Sequence, residues 1–115
     1  MNTTCVSYVK TSFNAALVAS EELLQGCWYG TMPSEEAEKM LKGKKRGTFF
    51  FREELSGDLY LSGINHDNEI QHTRFRKNLL SWTWINGGEH ECSSIQELIA
   101  ACLHCDENAI YPLSH

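Results

Sequence analysis

Hydrophobic and polar positions along this chain follow two rhythms, and the rhythm changes where one element gives way to the next. Phe13, Ala16, Leu17, Leu23 and Leu24 keep roughly helical spacing, and Gly26 ends the run. This predicts a helix over residues 12–25 within an N-terminal extension of residues 1–25. Helices of this length persist when their apolar stripe is buried, which favours docking against the domain over a free partner-binding helix. Cys27-Trp28-Tyr29-Gly30 then reads as a short aromatic element. Ser34 reads as the N-cap of a helix with Glu35 and Glu36 in its first turn, where the helix dipole favours acids. Ala37, Met40 and Leu41 form the buried stripe of that helix, and Gly43 stops it.

From Gly47 the period shortens. Thr48-Phe49-Phe50-Phe51 predicts a buried strand, and Leu59 to Ile64 predicts a second. Ile70 to Arg76 alternates, with His72, Arg74 and Arg76 on one face and Thr73 and Phe75 on the other. Leu80 to Trp84 predicts a further strand with Leu80, Trp82 and Trp84 together, broken by Asn86-Gly87-Gly88. Ser93 with Gln96, or Ser94 with Glu97, opens a second helix as a capping box, with Ile95, Leu98, Ile99 and Cys102 as its core face. Ala109 to Leu113 reads as a last strand, so a complete domain is expected over 26–115. The order predicts an α+β fold: a small central antiparallel sheet flanked by two helices, with an extra N-terminal helix.

Arg52 interrupts this pattern. It follows three aromatics in a strand, where more core is expected. A charge there needs an anionic partner, because an unpaired one is expensive to bury. Glu38, Glu53 and Glu54 are internal candidates. A phosphate is the external one, since a guanidinium grips it through two parallel hydrogen bonds.

Charge narrows the choice of partner. The chain carries a net −5, which argues against nucleic acid as a general ligand. Eight of its ten basic residues lie between Lys42 and Lys77 against five acids, a local +3, while the rest of the chain carries −8. One basic belt on an acidic protein suits a localised anion. No apolar run approaches the roughly 18 residues of a membrane span, so no membrane insertion is expected. Five cysteines without disulfide-framework spacing predict a reducing, cytoplasmic setting. The Cys-x-x-Cys pair Cys102 and Cys105, with His90 and Cys92 upstream, offers four zinc-type ligands, but Cys102 belongs to the apolar stripe and no second Cys-x-x-Cys exists. No nucleophile motif and no Walker-type loop is present, so neither an enzyme nor a cofactor is expected.

Taken in order, Trp28-Tyr29-Gly30, Ala37-Glu38 with Leu41, Gly47 to Glu53, His72-Thr73-Arg74-Phe75 and Ser93-Ser94-Ile95-Gln96-Glu97-Leu98 resemble a Src-homology-2 domain, the phosphotyrosine-binding module. The resemblance spans about residues 27 to 103. It implies a non-enzymatic module whose partners are tyrosine-phosphorylated proteins or peptides. It assigns Arg52 to the phosphate, His72 to shaping the pocket, and Arg74 to the phosphotyrosine ring. Ser34 occupies the position of a phosphate-binding first-helix arginine in many members, and Glu54 that of a serine or threonine donor. The loop from Glu53 to Asp58 is short, which leaves Ser56 and Gly57 for the contacts that loop makes, with Lys44, Lys45 or Arg46 as compensating cations. Thr73 stands where a bulky aromatic often contacts the residues after phosphotyrosine. Short stretches at 85–92 and 104–109, taken as the loops of the downstream pocket, imply weak selectivity for flanking sequence. So compact and divergent a copy is similar in kind to members found in bacterial effectors acting in host cytoplasm. A phosphate-independent interaction scaffold of the same fold is the alternative.

Overall fold

The computed structural model describes residues 27–113. The helix expected over 12–25 lies outside them. In chain order the elements are β1 (Trp28–Thr31), α1 (Ser34–Leu41), β2 (Thr48–Glu53), β3 (Leu59–Ile64), β4 (Ile70–Lys77), β5 (Trp82–Ile85), β6 (Glu89–Cys92), α2 (Ile95–Leu103) and β7 (Tyr111–Pro112). The strands form one sheet in the order β1-β2-β3-β4-β5-β6, and β7 also pairs with β2. The expected antiparallel succession holds from β2 to β6. It fails at one edge, where β1 and β7 both run parallel to β2. A parallel neighbour needs a crossover rather than a hairpin, and α1 supplies it between β1 and β2.

β2 is buried from Thr48 through Arg52 because a helix covers each face of the sheet. Side chains alternate along a strand, so Phe49 and Phe51 point one way while Phe50 and Arg52 point the other. The first pair faces α2. On that side Phe49 and Phe51 lie 5.7 Å apart, Phe51 and Phe75 5.3 Å, and Phe75 and Trp82 6.0 Å, in tilted or edge-on contacts. Such pairs add about 0.5–1.5 kcal/mol each beyond their buried area. Gln71 ties β4 to α2 by donating to the Cys102 carbonyl at 2.7 Å. On the other side α1 packs Ala37 and Leu41, both fully buried.

Four local expectations need correction. Pro33, not Ser34, is the N-cap of α1, and Ser34 is its first helical residue. Proline carries no side-chain oxygen, so this helix start has no side-chain cap. Leu80 lies before β5 and is exposed, because the β4–β5 turn closes through Asn78 and Ser81 instead of continuing the strand. Residues 85–92 are a hairpin rather than a loop: Ile85 and Glu89 pair across a turn at Asn86–Gly88. The last strand is confined to Tyr111–Pro112. The capping box on α2 takes a shared form. Ser94 accepts from the Glu97 N–H at 3.1 Å, while the Glu97 carboxylate accepts from the Ser93 N–H at 2.9 Å and hydroxyl at 2.8 Å. Those bonds to Ser93 hold the Glu97 carboxyl below its usual pKa.

Gly47 sets where β2 begins. Its φ is +90°, and a Cβ there would sit 2.2 Å from the Ala109 carbonyl oxygen, where the chain passes before β7. Gly57 has φ +95° but open space around it. Gly47→Ala is therefore expected to destabilise the domain by about 3 kcal/mol, adding a backbone clash to the strained torsion. Gly57→Ala should cost only about 1–2 kcal/mol, the torsional part alone. Urea unfolding of the two variants checks the order.

Candidate functional site

The register of the sheet assembles the site. Arg52 pairs with Tyr60, and Tyr60 with Arg74; Phe50 pairs with Ser62, and Ser62 with His72. Residues opposite one another in a sheet share a face. Arg52, Tyr60, Ser62, His72 and Arg74 therefore lie together on the α1 side. They come from three strands, and the pairing puts them in two adjacent rows.

Arg52 has no solvent exposure. Its Nε–H donates to the Ser62 hydroxyl at 2.8 Å, and Ser62 is in turn 2.8 Å from His72 Nδ1. His72 Nε2 lies 3.0 Å from a Glu38 carboxylate oxygen on α1. All these groups are satisfied if Ser62 donates to Nδ1 and His72 carries its proton on Nε2. Nη1 donates to the Met32 carbonyl at 3.0 Å and to the Glu54 carboxylate. The guanidinium carbon also lies 4.9 Å from the centroid of the Tyr60 ring. Nη2 is buried and has no hydrogen-bond partner among the described residues. The side chain is thus held along its length and keeps one donor in reserve at its tip.

The three internal carboxylates behave differently. Glu54 pairs with Arg52. Glu38 goes to His72 instead. Glu53 alternates onto the opposite face of β2 from Arg52.

The residues expected at the site divide into those the fold gathers and those it does not. His72 joins Arg52 through Ser62. Arg74 shares their face but is exposed, and its charge helps to lower the pKa of Glu89, after the larger effect of Arg76. Ser34 is half-buried at the start of α1, without a bond to Arg52. Ser56 is exposed in the turn after β2, where its hydroxyl donates to Asp58 at 3.1 Å and accepts from the Asp58 N–H at 3.4 Å. That hydroxyl is committed within its own turn. The basic run 44–46 lies at the opposite end of β2, about 20 Å from Arg52 by strand rise. There Lys45 sits 3.7 Å over the Tyr111 ring, and Arg46 lines a cleft of about 440 Å³ with His66 and His104. Thr73 faces the α2 side, buried, and accepts from Gln71 at 2.9 Å.

Sequence reasoning missed Ser62, Tyr60 and the Met32 carbonyl. Ser62 had a visible signal, a polar residue in an otherwise apolar strand, but only the register shows it opposite His72. Among the described residues no three His, Cys, Asp or Glu side chains gather to hold a metal. His90 stacks on Trp84 at 4.3 Å, and burial pushes the Cys102 thiol pKa up.

Ser62 bonds both Arg52 and His72 and is fully buried, so its loss is expected to be felt as an unsatisfied donor rather than a missing contact. Ser62→Ala should destabilise the domain by about 1–3 kcal/mol. Denaturant unfolding checks this, and Thr83→Ser, a buried site away from Arg52, is the control.

No curated protein matches the chain. The family model described as the SH2 domain matches residues 28–101, from β1 through α2, and so takes in Arg52, Ser62, His72 and the sheet that aligns them. Members of that family are phosphotyrosine-binding, protein-interaction modules used in signalling. The chain belongs to the SH2 domain family.

Proposed function

We propose that this domain recognises phosphotyrosine in proteins or peptides, with Arg52 gripping the phosphate and the domain itself doing no chemistry. The observation that carries the reading is the buried Nη2, unpartnered among the described residues, at the end of a guanidinium otherwise fixed by Ser62, Met32 and Tyr60. A donor in that state is costly unless an acceptor arrives. A phosphate ester brings nearly two negative charges and three acceptor oxygens. On this reading His72 shapes the floor through Ser62, and Arg74, exposed on the same face, lies along the tyrosine ring. Ser34 and Ser56 take minor parts at most, since Ser56 is bonded to Asp58. The short turns at 54–57 and 86–88 favour weak selectivity for flanking residues. The buried thiols of Cys92 and Cys102, in no disulfide among the described residues, fit a reducing, cytoplasmic setting.

A second reading has a specific observation behind it. Glu54 already supplies Arg52 with an anion. On that reading the ion pair is purely structural, and the domain is a phosphate-independent interaction scaffold.

Calorimetry with matched tyrosine and phosphotyrosine peptides separates the two. The first reading expects binding of the phosphorylated peptide and little of the other; equal affinity for both supports the scaffold. Arg52→Lys keeps the charge but loses the fork and the Nε bond. It should stay folded and weaken phosphopeptide binding by about 2–5 kcal/mol. Undiminished binding by that variant would remove Arg52 from the site.

A further inference from the structure

We infer that Glu54 is an internal stand-in for the phosphate, a carboxylate that occupies Arg52 in the empty domain and must be displaced by the ligand. The inference rests on the reading of Arg52 as the phosphate anchor and adds to it a built-in competitor.

The geometry of the turn supports this. Glu54 follows β2 directly, and its backbone is pinned at both ends. Its N–H donates to the Asp58 carbonyl at 2.9 Å, and its own carbonyl accepts from the Gly57 N–H at 2.9 Å. A fixed backbone two residues from Arg52 delivers the carboxylate to Nη1 without any loop closure. The Glu54 side chain is 30% exposed, whereas that of Arg52 is 0% exposed. The carboxylate therefore has a way out to solvent, and the guanidinium does not. Swinging out needs only side-chain rotation, which is fast on the scale of binding.

The match between Glu54 and the pocket is incomplete. One carboxylate oxygen takes Nη1, while Nη2 remains buried and, among the described residues, unpartnered. Bidentate recognition uses both nitrogens. A phosphate could satisfy both and would carry more charge. The sheet face next to this position carries Arg52 from β2, Tyr60 from β3, and His72 and Arg74 from β4, with Glu38 of α1 bonded to His72, while the Asp58 carboxylate in the turn is bonded to Ser56. Among the described residues Arg52 is the one cation bonded to Glu54. A dianion and Glu54 cannot both hold it without strong repulsion, so binding and release of Glu54 are coupled. The consequence is an affinity lowered by the loss of one charge-assisted bond, traded for a buried cation that is never left unpaired.

The test compares wild type, Glu54→Gln and Glu54→Ala for binding of free phosphotyrosine and of one phosphotyrosine peptide by calorimetry. Glu54→Gln keeps the size and removes the charge; Glu54→Ala empties the position. Both are expected to bind at least tenfold more tightly than wild type while melting at lower temperature. Equal or weaker binding by folded variants, with wild type still binding, overturns the stand-in and leaves the phosphotyrosine reading intact. Absence of binding by all three folded proteins overturns both. Should the variants not fold, the carboxyl carbon resonance of Glu54 in ¹³C-glutamate-labelled wild type decides. It should move towards the free carboxylate position on phosphotyrosine addition, and a stationary signal under saturating ligand overturns the inference.

Discussion

Burying a guanidinium costs several kcal/mol unless its nitrogens find acceptors, and that requirement organises the α1 side of the sheet. Arg52 draws on four groups from three segments: the hydroxyl of Ser62 and the ring of Tyr60 on β3, the carbonyl of Met32 before α1, and the Glu54 carboxylate in the following turn. Each of those segments is fixed by something else. Met32 is tied to β2 through its own N–H, which donates to the Glu53 carbonyl at 3.0 Å. Ser62 and Tyr60 are fixed by the β2–β3 register, which a one-residue slip would turn to the opposite face. The arginine is placed by the fold, and it also penalises any arrangement that fails to meet it.

The two faces of the sheet divide the labour. The α2 face is a dry aromatic ladder from Phe49 to Trp82, and it supplies most of the apolar burial. The α1 face gives up part of that burial to a polar chain from Arg52 through Ser62 and His72 to Glu38. Polar chains of this kind strengthen one another when complete and are costly when broken. A rigid apolar floor beneath a polar upper face lets a single strand, β2, serve both.

Much of this was legible in the sequence because strands and helices announce themselves by period. β3 runs over Leu59–Ile64 as its apolar run predicts, and the alternation along β4 by itself puts His72 and Arg74 on one face. What was not legible depended on pairing between segments. The parallel edges β1 and β7 carry no local signal of direction. Leu80 fits an alternating pattern but lies in a turn, because Asn78 bonds both Ser81 and Thr83 and closes the chain early. The choice among Glu38, Glu53 and Glu54 as the partner of Arg52 was equally closed to sequence. It turns on which carboxylate a strand end and a tight turn bring to one nitrogen.

The central claim is that the free end of Arg52 is a phosphate site. The most direct measurement is the ¹⁵N spectrum of the arginine guanidinium groups during titration with phosphotyrosine, with Arg52 assigned by the Arg52→Lys variant. The account predicts that the Arg52 Nη signals shift and saturate with the ligand, Nη2 included, while those of Arg46 at the far end of β2 stay in place. Binding of phosphotyrosine with the Arg52 signals unmoved would contradict it.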